Sequence, residues 1–226
     1  GNCFSYDQTD FPNANSFNSQ NFEAAYDVYD NQAADDFVVT GAGWVVTTVM
    51  TPGAYFNGAG PAQSLHVTFY ADAGGLPGAV VSGCDYPAVT TFTGGATGSF
   101  TTTLTPPCTL TPGPKWVSVQ VNMNFGAGGQ WGWTMRDVQS FNPSVWRNPG
   151  GGFPGGCLTY TPRGICEPAT ASSPDQSFRL DGSFAGCDVD ADCQDGNLCN
   201  GVETCVAGAC AAGTPGSRIV SQRIKL

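Results

Sequence analysis

The chain has 226 residues, a net charge of −10 and a sequence isoelectric point near 4.1. A general nucleic-acid binder needs a basic face, so this charge excludes that class of partner. The sequence has no run of about 18 apolar residues, so we expect no membrane insertion.

The first 34 residues are rich in Asn, Asp, Ser and aromatic side chains and show no steady period. We predict that residues 1–34 form an N-terminal wrapping arm with one strand near its start. In the whole chain, 31 Gly and 16 Pro accompany only 12% charged residues, a composition that suits short strands joined by turns.

From residue 35 onward, β-branched and alternating residues predict strands. The clearest case alternates Leu65, Val67 and Phe69 with His66 and polar neighbours, which is the pattern of a half-buried strand. The strands predicted before the centre of the chain are 36–40, 44–50, 64–71, 79–82, 88–92 and 99–104.

Two alternating runs joined by the glycine-rich segment GAGG lie between Lys115 and Arg136. Because period-two alternation places one face of a strand on a core, we predict a β-hairpin here, at the centre of the fold. Its predicted inward-facing side chains are Val117, Val119, Val121, Met123, Phe125, Trp131, Trp133 and Met135.

Closing strands are predicted at 158–160 and 176–180, which completes an all-β, jelly-roll-like β-sandwich over residues 35–184. Residues 185–215 then combine five Cys with five acidic residues and almost no large apolar side chain. Such a segment cannot bury a core, so we predict a small disulfide-rich appendage. Residues 216–226 are basic and β-competent and predict a terminal β-strand.

Several long phrases, among them GWVVTTV, SLHVTFYADAGGLPG, VSVQVNMNFGAGGQWGW and PDQSFRLDG, give residues 20–182 a resemblance to a known family. The stretch resembles a β-sandwich module of large bacterial secreted proteins, several of which carry C-terminal surface-sorting tails. The resemblance implies surface display and supplies no catalytic residues.

The tail sequence DADCQDGNLCNGVETCVAGAC resembles a Cys-rich repeat of bacterial extracellular proteins. That repeat usually has a sixth Cys after the final Gly-Pro stretch, and the segment GTPGSR lacks one here. The departure puts the usual internal pairing of the repeat in doubt.

The sequence predicts no enzyme. Its one histidine, His66, excludes two-His zinc motifs, and no nucleophile-elbow motif supports a Ser-His-acid triad. Asp35 and Asp36 are adjacent on a strand, so they would point to opposite faces, unlike the carboxylate pair of a glycosidase. The glycine clusters follow no phosphate-binding or dinucleotide-binding spacing and indicate turns.

Acidic residues alternate in the tail as at the start of a calcium loop, where oxygen donors surround one cation. Cys193 and Cys199 stand where that loop has its Gly and its bidentate Glu, so a solvated loop held by disulfides is the alternative. The predicted calcium ligands are Asp188, Asp190, Asp192, Asp195 and Asn197. A second candidate cation site, near the strand ends, is Asp35, Asp36, Asp175 and Asp181.

Glycan binding needs exposed aromatic rings beside polar groups. Trp116 falls on the polar side of its strand, and Trp146 lies in the Pro/Gly-rich stretch from Phe141 to Pro154, which predicts a binding loop or an interface. Cover by a second sheet or by a subunit would explain Trp116 equally well. Further aromatic candidates are Trp44, Tyr70 and Phe153.

Ten cysteines, several of them closely spaced, indicate an oxidising compartment, and we expect an extracellular or cell-surface protein whose export signal has been removed. The sandwich part has five cysteines and the tail has five, so both counts are odd. Local spacing favours the pairs Cys84–Cys108 and Cys157–Cys166, although connectivity does not follow from sequence. Cys3 is then left over, together with one tail cysteine.

These features predict a non-enzymatic subunit of a bacterial extracellular filament or surface polymer, with a carbohydrate-binding or adhesin module as the alternative. In the predicted homopolymer, the last residues of one copy add as a strand to the next, and Cys3 bonds a tail cysteine there. Folding back onto the same chain, with an intrachain bond, is the other possibility. The predicted interface residues are Arg218, Ile219, Val220, Arg223, Ile224 and Leu226.

Overall fold

Strands dominate the computed structural model, which describes residues 3–187, 189–193, 202–206, 208–211 and 213. Two short α-helices are α1 (Phe125–Gly128) and α2 (Arg163–Cys166), and 3₁₀ helices lie at Ala24–Tyr29, Pro168–Thr170 and Asp190–Cys193. None of the helices in these ranges is long and apolar enough to cross a bilayer. The strands are β1 (Cys3–Asp7), β2 (Pro12–Asn18), β3 (Gln20–Asn21), β4 (Gln32–Val39), β5 (Trp44–Thr51), β6 (Gly53–Phe56), β7 (Ser64–Asp72), β8 (Pro77–Val89), β9 (Phe92–Thr93), β10 (Phe100–Leu110), β11 (Gly113–Asn122), β12 (Gln130–Arg136), β13 (Val145–Arg147), β14 (Thr161–Pro162), β15 (Asp175–Gln176), β16 (Arg179–Phe184), β17 (Thr204–Val206) and β18 (Ala209–Ala211).

The strands form three packed sheets and one small ribbon. One sheet has the order β1–β16–β5–β10–β9, and a second has the order β14–β13–β4–β11–β7–β8, with β3 paired in parallel to β11. A third sheet joins β15, β12, β2 and β6, and β17 pairs with β18 in the Cys-rich tail. The all-β fold class is therefore confirmed, while the predicted terminal strand at 216–226 lies outside the described residues.

The core between the two large sheets is rich in aromatic rings. Phe37 on β4 is fully buried, and its ring centroid lies 5.8 Å from that of Trp44 on β5 and 6.3 Å from that of Phe69 on β7. Tyr6 on β1 and Phe178 also contact this ring, at 5.9 and 6.2 Å. One side chain therefore joins both sheets to the N-terminal strand.

The predicted hairpin at 115–136 is wrong. β11 pairs with β3, β4 and β7, whereas β12 pairs with β2, β6 and β15. The glycine-rich segment forms α1 and ends at Gly129, whose φ of +81° suits glycine, so it passes the chain from one sheet to another. Both arms still bury their apolar faces, except that Phe125 is 36% exposed.

The N-terminal segment is more regular than its composition indicates. It contributes β1 to the first sheet, β3 to the second and β2 to the third, and the expected boundary at residue 34 falls inside β4. The strand predicted at 158–160 is absent from that described stretch, and β14 follows it instead. The weak strand predicted at 79–82 falls within one long strand, β8, that ends at Val89, whereas only the first two residues of the strand predicted at 88–92 belong to β8.

Four disulfides link the described cysteines. Cys84 on β8 bonds Cys108 on β10 and so joins the two large sheets near their edges, and Cys157 bonds Cys166 of α2. These are the two pairs that the spacing favoured. The tail bonds are Cys187–Cys205 and Cys193–Cys210.

We expect Phe37→Ala to lower the free energy of unfolding by about 3–5 kcal/mol, because a fully buried ring leaves a cavity that both sheets line. Leu158→Ala is the matched control: its side chain is exposed, so the change should stay within about 0.5 kcal/mol. Urea denaturation measures both. Equal stability of the two variants would contradict the central place of Phe37.

Candidate functional site

The edge strand β1 is open to a partner on one side in the described chain. It pairs only with β16 among the described strands, so its outer peptide groups are available to an added strand. Phe4 fixes it from below by stacking on Trp44, with ring centroids 4.4 Å apart. A side chain at Gly182 on β16 would collide with the Phe4 ring and with the Val45 carbonyl, so glycine permits this close approach.

Polar groups cover the outer face of the same edge. The Ser5 hydroxyl donates to Asp181 Oδ1 at 2.7 Å across the β1–β16 pair, and Arg179 Nε donates to Asp181 Oδ2 at 3.0 Å. Asp7, at the end of β1, is exposed and accepts only from the backbone N–H and hydroxyl of Thr9. Asp181 therefore lies on this edge and is not part of a cation site with Asp35, Asp36 and Asp175.

Positive charge is distributed very unevenly along the chain. The first 114 residues contain no Lys or Arg, and only five of the eight cations lie in the described residues. Arg136 contacts Asp10 at 2.8 Å, Arg179 pairs with Asp181, and Arg147 donates to Gln32 and lies 4.4 Å from the Tyr160 ring centroid. Lys115 and Arg163 are buried.

The other three cations, Arg218, Arg223 and Lys225, lie within residues 216–226, outside the described residues together with the predicted apolar interface positions. This segment carries +3, so the rest of the chain carries −13, the total of −10 less +3. Every cation of the described body is thus buried or bound, and the remaining ones are concentrated at one end of the sequence.

The cysteines leave a matching pair. Eight of the ten are in the four disulfides, and the other two are Cys3 and Cys199. The backbone of Cys3 begins β1 and lies opposite Ser183, whereas its side chain and all of Cys199 lie outside what the structure describes. The tail cysteine left over by the sequence argument is therefore Cys199.

Three aspartates are buried where β4 meets β15, namely Asp35, Asp36 and Asp175. Asp35 Oδ2 accepts from Gln8 Nε2 at 2.9 Å and from the Gln176 backbone N–H at 2.7 Å, so it ties the N-terminal segment to β15. Asp36 Oδ2 accepts two hydrogen bonds from Asn142, and Asp175 Oδ2 accepts from the Ser140 backbone N–H and from Arg136 at 3.4 Å.

Burial raises the pKa of all three carboxyl groups. The pKa of Asp36 rises to about 6, against the opposing hydrogen bonds from Asn142, and that of Asp175 rises to about 7, against the Ser140 hydrogen bond and the Arg136 charge. The pKa of Asp35 rises well above its ordinary value through burial and the nearby Asp175 charge. Asp36 Oδ1 and Asp175 Oδ1 have no hydrogen-bond partner, which leaves them free to carry a proton.

This cluster is a structural site in the described chain. Its carboxylate oxygens do not come close enough together to surround one cation: in the described ranges only the sulfurs of Cys187, Cys193 and Cys210 form such a group, and these are in disulfides. Nearby Arg163 donates to Ser144 Oγ and to the Ser173 carbonyl and supplies positive charge to the cluster. The sequence pattern brought these three aspartates together as a candidate cation site but did not predict their burial, because charged residues are mostly exposed.

Trp116 is covered, which is one of the two alternatives that the sequence left open for it, and Trp146 is buried as well. Trp116 is 0% exposed under a second apolar layer that includes Tyr70 and Tyr160, and its indole N–H donates to Asp72 Oδ1 at 2.9 Å. Trp146 is 4% exposed and donates to the Asn18 carbonyl. Neither ring can stack on a sugar as placed, so the glycan-binding alternative stays a prediction without these two residues.

The predicted calcium loop falls mostly outside the described residues, because Asp188, Asp195, Asn197 and the side chain of Asp192 lie there. Asp190 is described, and its Oδ1 accepts from the Cys205 backbone N–H at 2.7 Å, which ties the 3₁₀ helix to β17. Calcium binding stays a prediction.

His66 lies on the outer face of β7, as the alternation predicts. Its Nε2 is 2.6 Å from Asp85 Oδ1, and the Thr68 hydroxyl donates to the same oxygen. The imidazole therefore contacts a carboxylate rather than a nucleophile.

Comparison of the chain with protein-family models, with curated proteins and with solved structures finds no match in any of the three. The resemblances to a bacterial β-sandwich module and to a Cys-rich repeat stay predictions.

The buried aspartates predict an inverted pH dependence of stability. Because their folded pKa values are raised, the folded chain holds protons that the unfolded chain, with aspartate pKa values near 3.8, has released. The free energy of unfolding should thus be highest near pH 4 and fall as the pH rises towards 7. The pKa of Asp137 is lowered by hydrogen bonds from Ser173 and Asn13, so this residue changes the pH dependence of the free energy of unfolding only below this window.

The control variant is Asp36→Asn, which keeps an acceptor for Asn142 and cannot ionise. Moving one aspartate pKa from 3.8 to about 6 corresponds to about 3 kcal/mol. In the variant, the total fall in the free energy of unfolding between pH 4 and 8 should therefore be smaller by an amount of that order. Denaturant unfolding between pH 4 and 8 measures both proteins. A wild-type stability that rises over this range would contradict the prediction.

Proposed function

We propose that this chain is a non-enzymatic structural protein, the subunit of an extracellular filament or surface polymer. Residues 216–226 of one copy add as a strand to the β1 edge of the next copy. A disulfide between Cys3 and Cys199 of neighbouring copies then fixes the contact.

The observation that carries this proposal is the separation of charge. The described body binds or buries all five of its cations and presents exposed carboxylates such as Asp7 and Asp27, while the last residues hold the remaining +3. Opposite charges of this size accelerate encounter and align the two partners. The basic segment of one copy is therefore attracted to the acidic body of another.

The sheet edge supports the proposal independently. A strand with one free side accepts an added strand through main-chain hydrogen bonds, and β1 has such a side in the described chain. The segment IVSQRIKL alternates enough apolar and polar residues to pair there. Because Cys3 begins β1, strand addition brings a neighbouring tail close to the cysteine that the four disulfides do not use.

Non-reducing electrophoresis tests the covalent part. We expect a ladder of multimers that collapses to monomer on adding thiol, and we expect Cys3→Ser and Cys199→Ser each to abolish it. Ser64→Cys adds a thiol that has no part in the proposed bond, so any extra multimers of this variant would report adventitious thiol oxidation. Wild-type protein that runs only as monomer without reductant would exclude the interchain bond and favour the intrachain one.

Charge reversal tests the electrostatic part. Changing Arg218, Arg223 and Lys225 to Glu should slow assembly by at least about tenfold at low salt, because attraction becomes repulsion. Raising the salt from about 10 to about 150 mM should slow the wild type and narrow this difference, since the Debye length falls from about 30 to about 8 Å. Light scattering under reducing conditions reports the rate. Equal rates for both proteins at low salt would contradict tail docking by charge.

A further inference from the structure

An aromatic cleft of about 280 Å³ opens on the surface beside the 3₁₀ helix Ala24–Tyr29. It is smaller than most small-molecule pockets, which have about 300–1,000 Å³, so it suits a compact group. Gln130 is its one non-aromatic lining side chain, and the amide oxygen of that residue already accepts from Asn57 Nδ2 at 2.6 Å. The aromatic lining residues, defined here as the cage, are Phe22, Tyr26, Tyr29, Phe125 and Phe153.

The cage rings do not lie in one plane. Tyr26 meets Phe125 at a centroid distance of 5.6 Å and an interplanar angle of 67°, and Tyr29 meets Phe153 at 5.3 Å and 76°. Phe22 meets Phe125 at 6.4 Å and 64°. Tyr26, Tyr29 and Phe125 remain 36–39% exposed. The rings therefore form walls around a hollow rather than a flat platform.

Buried polar groups hold the walls in place. Asn148 is 2% exposed, and its Nδ2 donates to the carbonyls of Val28 and Asp30 while its Oδ1 accepts from the Phe153 backbone N–H. A Cβ on Gly152 would come within 2.7 Å of the Tyr29 ring, so glycine lets the loop 150–153 pack on the helix. The cage is thus built by specific contacts and is not a chance cluster of rings.

Two further hydrogen bonds to the backbone of cage residues place negative charge beside the cage. Glu23 Oε2 accepts from the Phe125 backbone N–H at 2.7 Å, and Asp30 Oδ1 accepts from the Phe22 backbone N–H at 2.7 Å. Asp27 lies between Tyr26 and Tyr29 in sequence and is exposed. No Lys or Arg lines the cleft in the described chain. Two carboxylates thus accept hydrogen bonds from the backbone of cage residues, and a third lies on the same 3₁₀ helix as Tyr26 and Tyr29, whereas the lining has no cation of its own.

We propose that the cage binds an organic cation, an alkylammonium or guanidinium group. The faces of aromatic rings attract cations through their quadrupole, and carboxylates nearby strengthen the attraction. A sugar would need several polar partners, whereas five of the six lining side chains are aromatic and the oxygen of the one amide is already engaged. An uncharged apolar ligand would gain nothing from Glu23, Asp27 and Asp30. This inference does not depend on the proposed assembly.

Choline and its uncharged isostere 3,3-dimethyl-1-butanol separate charge from shape. Chemical-shift titration of the full chain should give saturable shifts of the cage residues with choline, and binding of the alcohol should be at least about fivefold weaker. Equal binding of both compounds, or no saturable shift with choline, would overturn the proposal. Glucose that saturates the cage where choline does not would also overturn it.

Two variants test the residues. Tyr26→Leu keeps an apolar wall and removes the quadrupole, and Asp27→Asn removes one rim charge; each should weaken choline binding about two- to fivefold. Ile165→Ala changes an exposed apolar residue that does not line the cleft and should leave binding unchanged. If Tyr26→Leu and Asp27→Asn, with spectra of folded protein, bind choline as tightly as the wild type, the cage is not the site.

The cation can come from a free ligand or from a basic side chain, and a competition arm distinguishes them. A peptide of residues 217–226, SRIVSQRIKL, is added to the choline complex. Displacement of choline with the same cage shifts assigns the basic segment as a source of the cation. Retention of choline assigns a free organic cation. Both results require the cage. Displacement would place the basic segment at the cage rather than at the β1 edge and would contradict that part of the proposed assembly, whereas the Cys3–Cys199 bond is tested separately by electrophoresis.

Discussion

The ring of Phe37 is the contact on which the arrangement of the sheets depends. It joins β4 to Trp44 of the facing sheet, and Tyr6 of β1 packs on the same ring. Since Phe4 also stacks on Trp44, the rings of Phe4 and Tyr6 hold the first strand onto the core. One edge of this strand pairs with β16, and its other edge is unpaired among the described strands. Assembly by strand addition requires a firmly held strand with a free edge. The core packing that holds β1 therefore also supports the proposed interface.

Charge is the second constraint. A body that carries −13 gains solubility and repels its own copies, so contact between copies needs a local source of positive charge. The described residues neutralise or bury their five cations, and they also bury three carboxyl groups that cost free energy when ionised. The basic residues Arg218, Arg223 and Lys225 are then the concentrated positive charge of the chain. At the aromatic cage, carboxylates lie beside aromatic rings, and no Lys or Arg lines the cleft in the described chain.

Sequence reasoning found the strands that have strong alternation, such as β5, β7 and β11, because period two reports directly which face is buried. It predicted one strand near the start of the chain and missed β2 and β3, whose partners lie more than 100 residues away and whose own pattern is weak. The hairpin prediction failed because β11 and β12 pair with strands that are remote in the sequence. The layer that covers Trp116 includes Tyr70 and Tyr160, so the alternation of β11 alone left its burial open. The cage could not be predicted from the sequence because its rings come from segments that are far apart in the chain, between Phe22 and Phe153.

Isotope mixing distinguishes a disulfide between two copies from a disulfide within one copy. Reduced subunits labelled with ¹⁵N are mixed with unlabelled subunits, oxidised, digested without reductant and examined by mass spectrometry. Assembly through this bond predicts disulfide-linked peptides in which Cys3 comes from a labelled copy and Cys199 from an unlabelled one, together with the reverse pair. Cys3–Cys199 peptides in which both halves always carry the same label would show that the bond closes within one chain, and would contradict assembly through it.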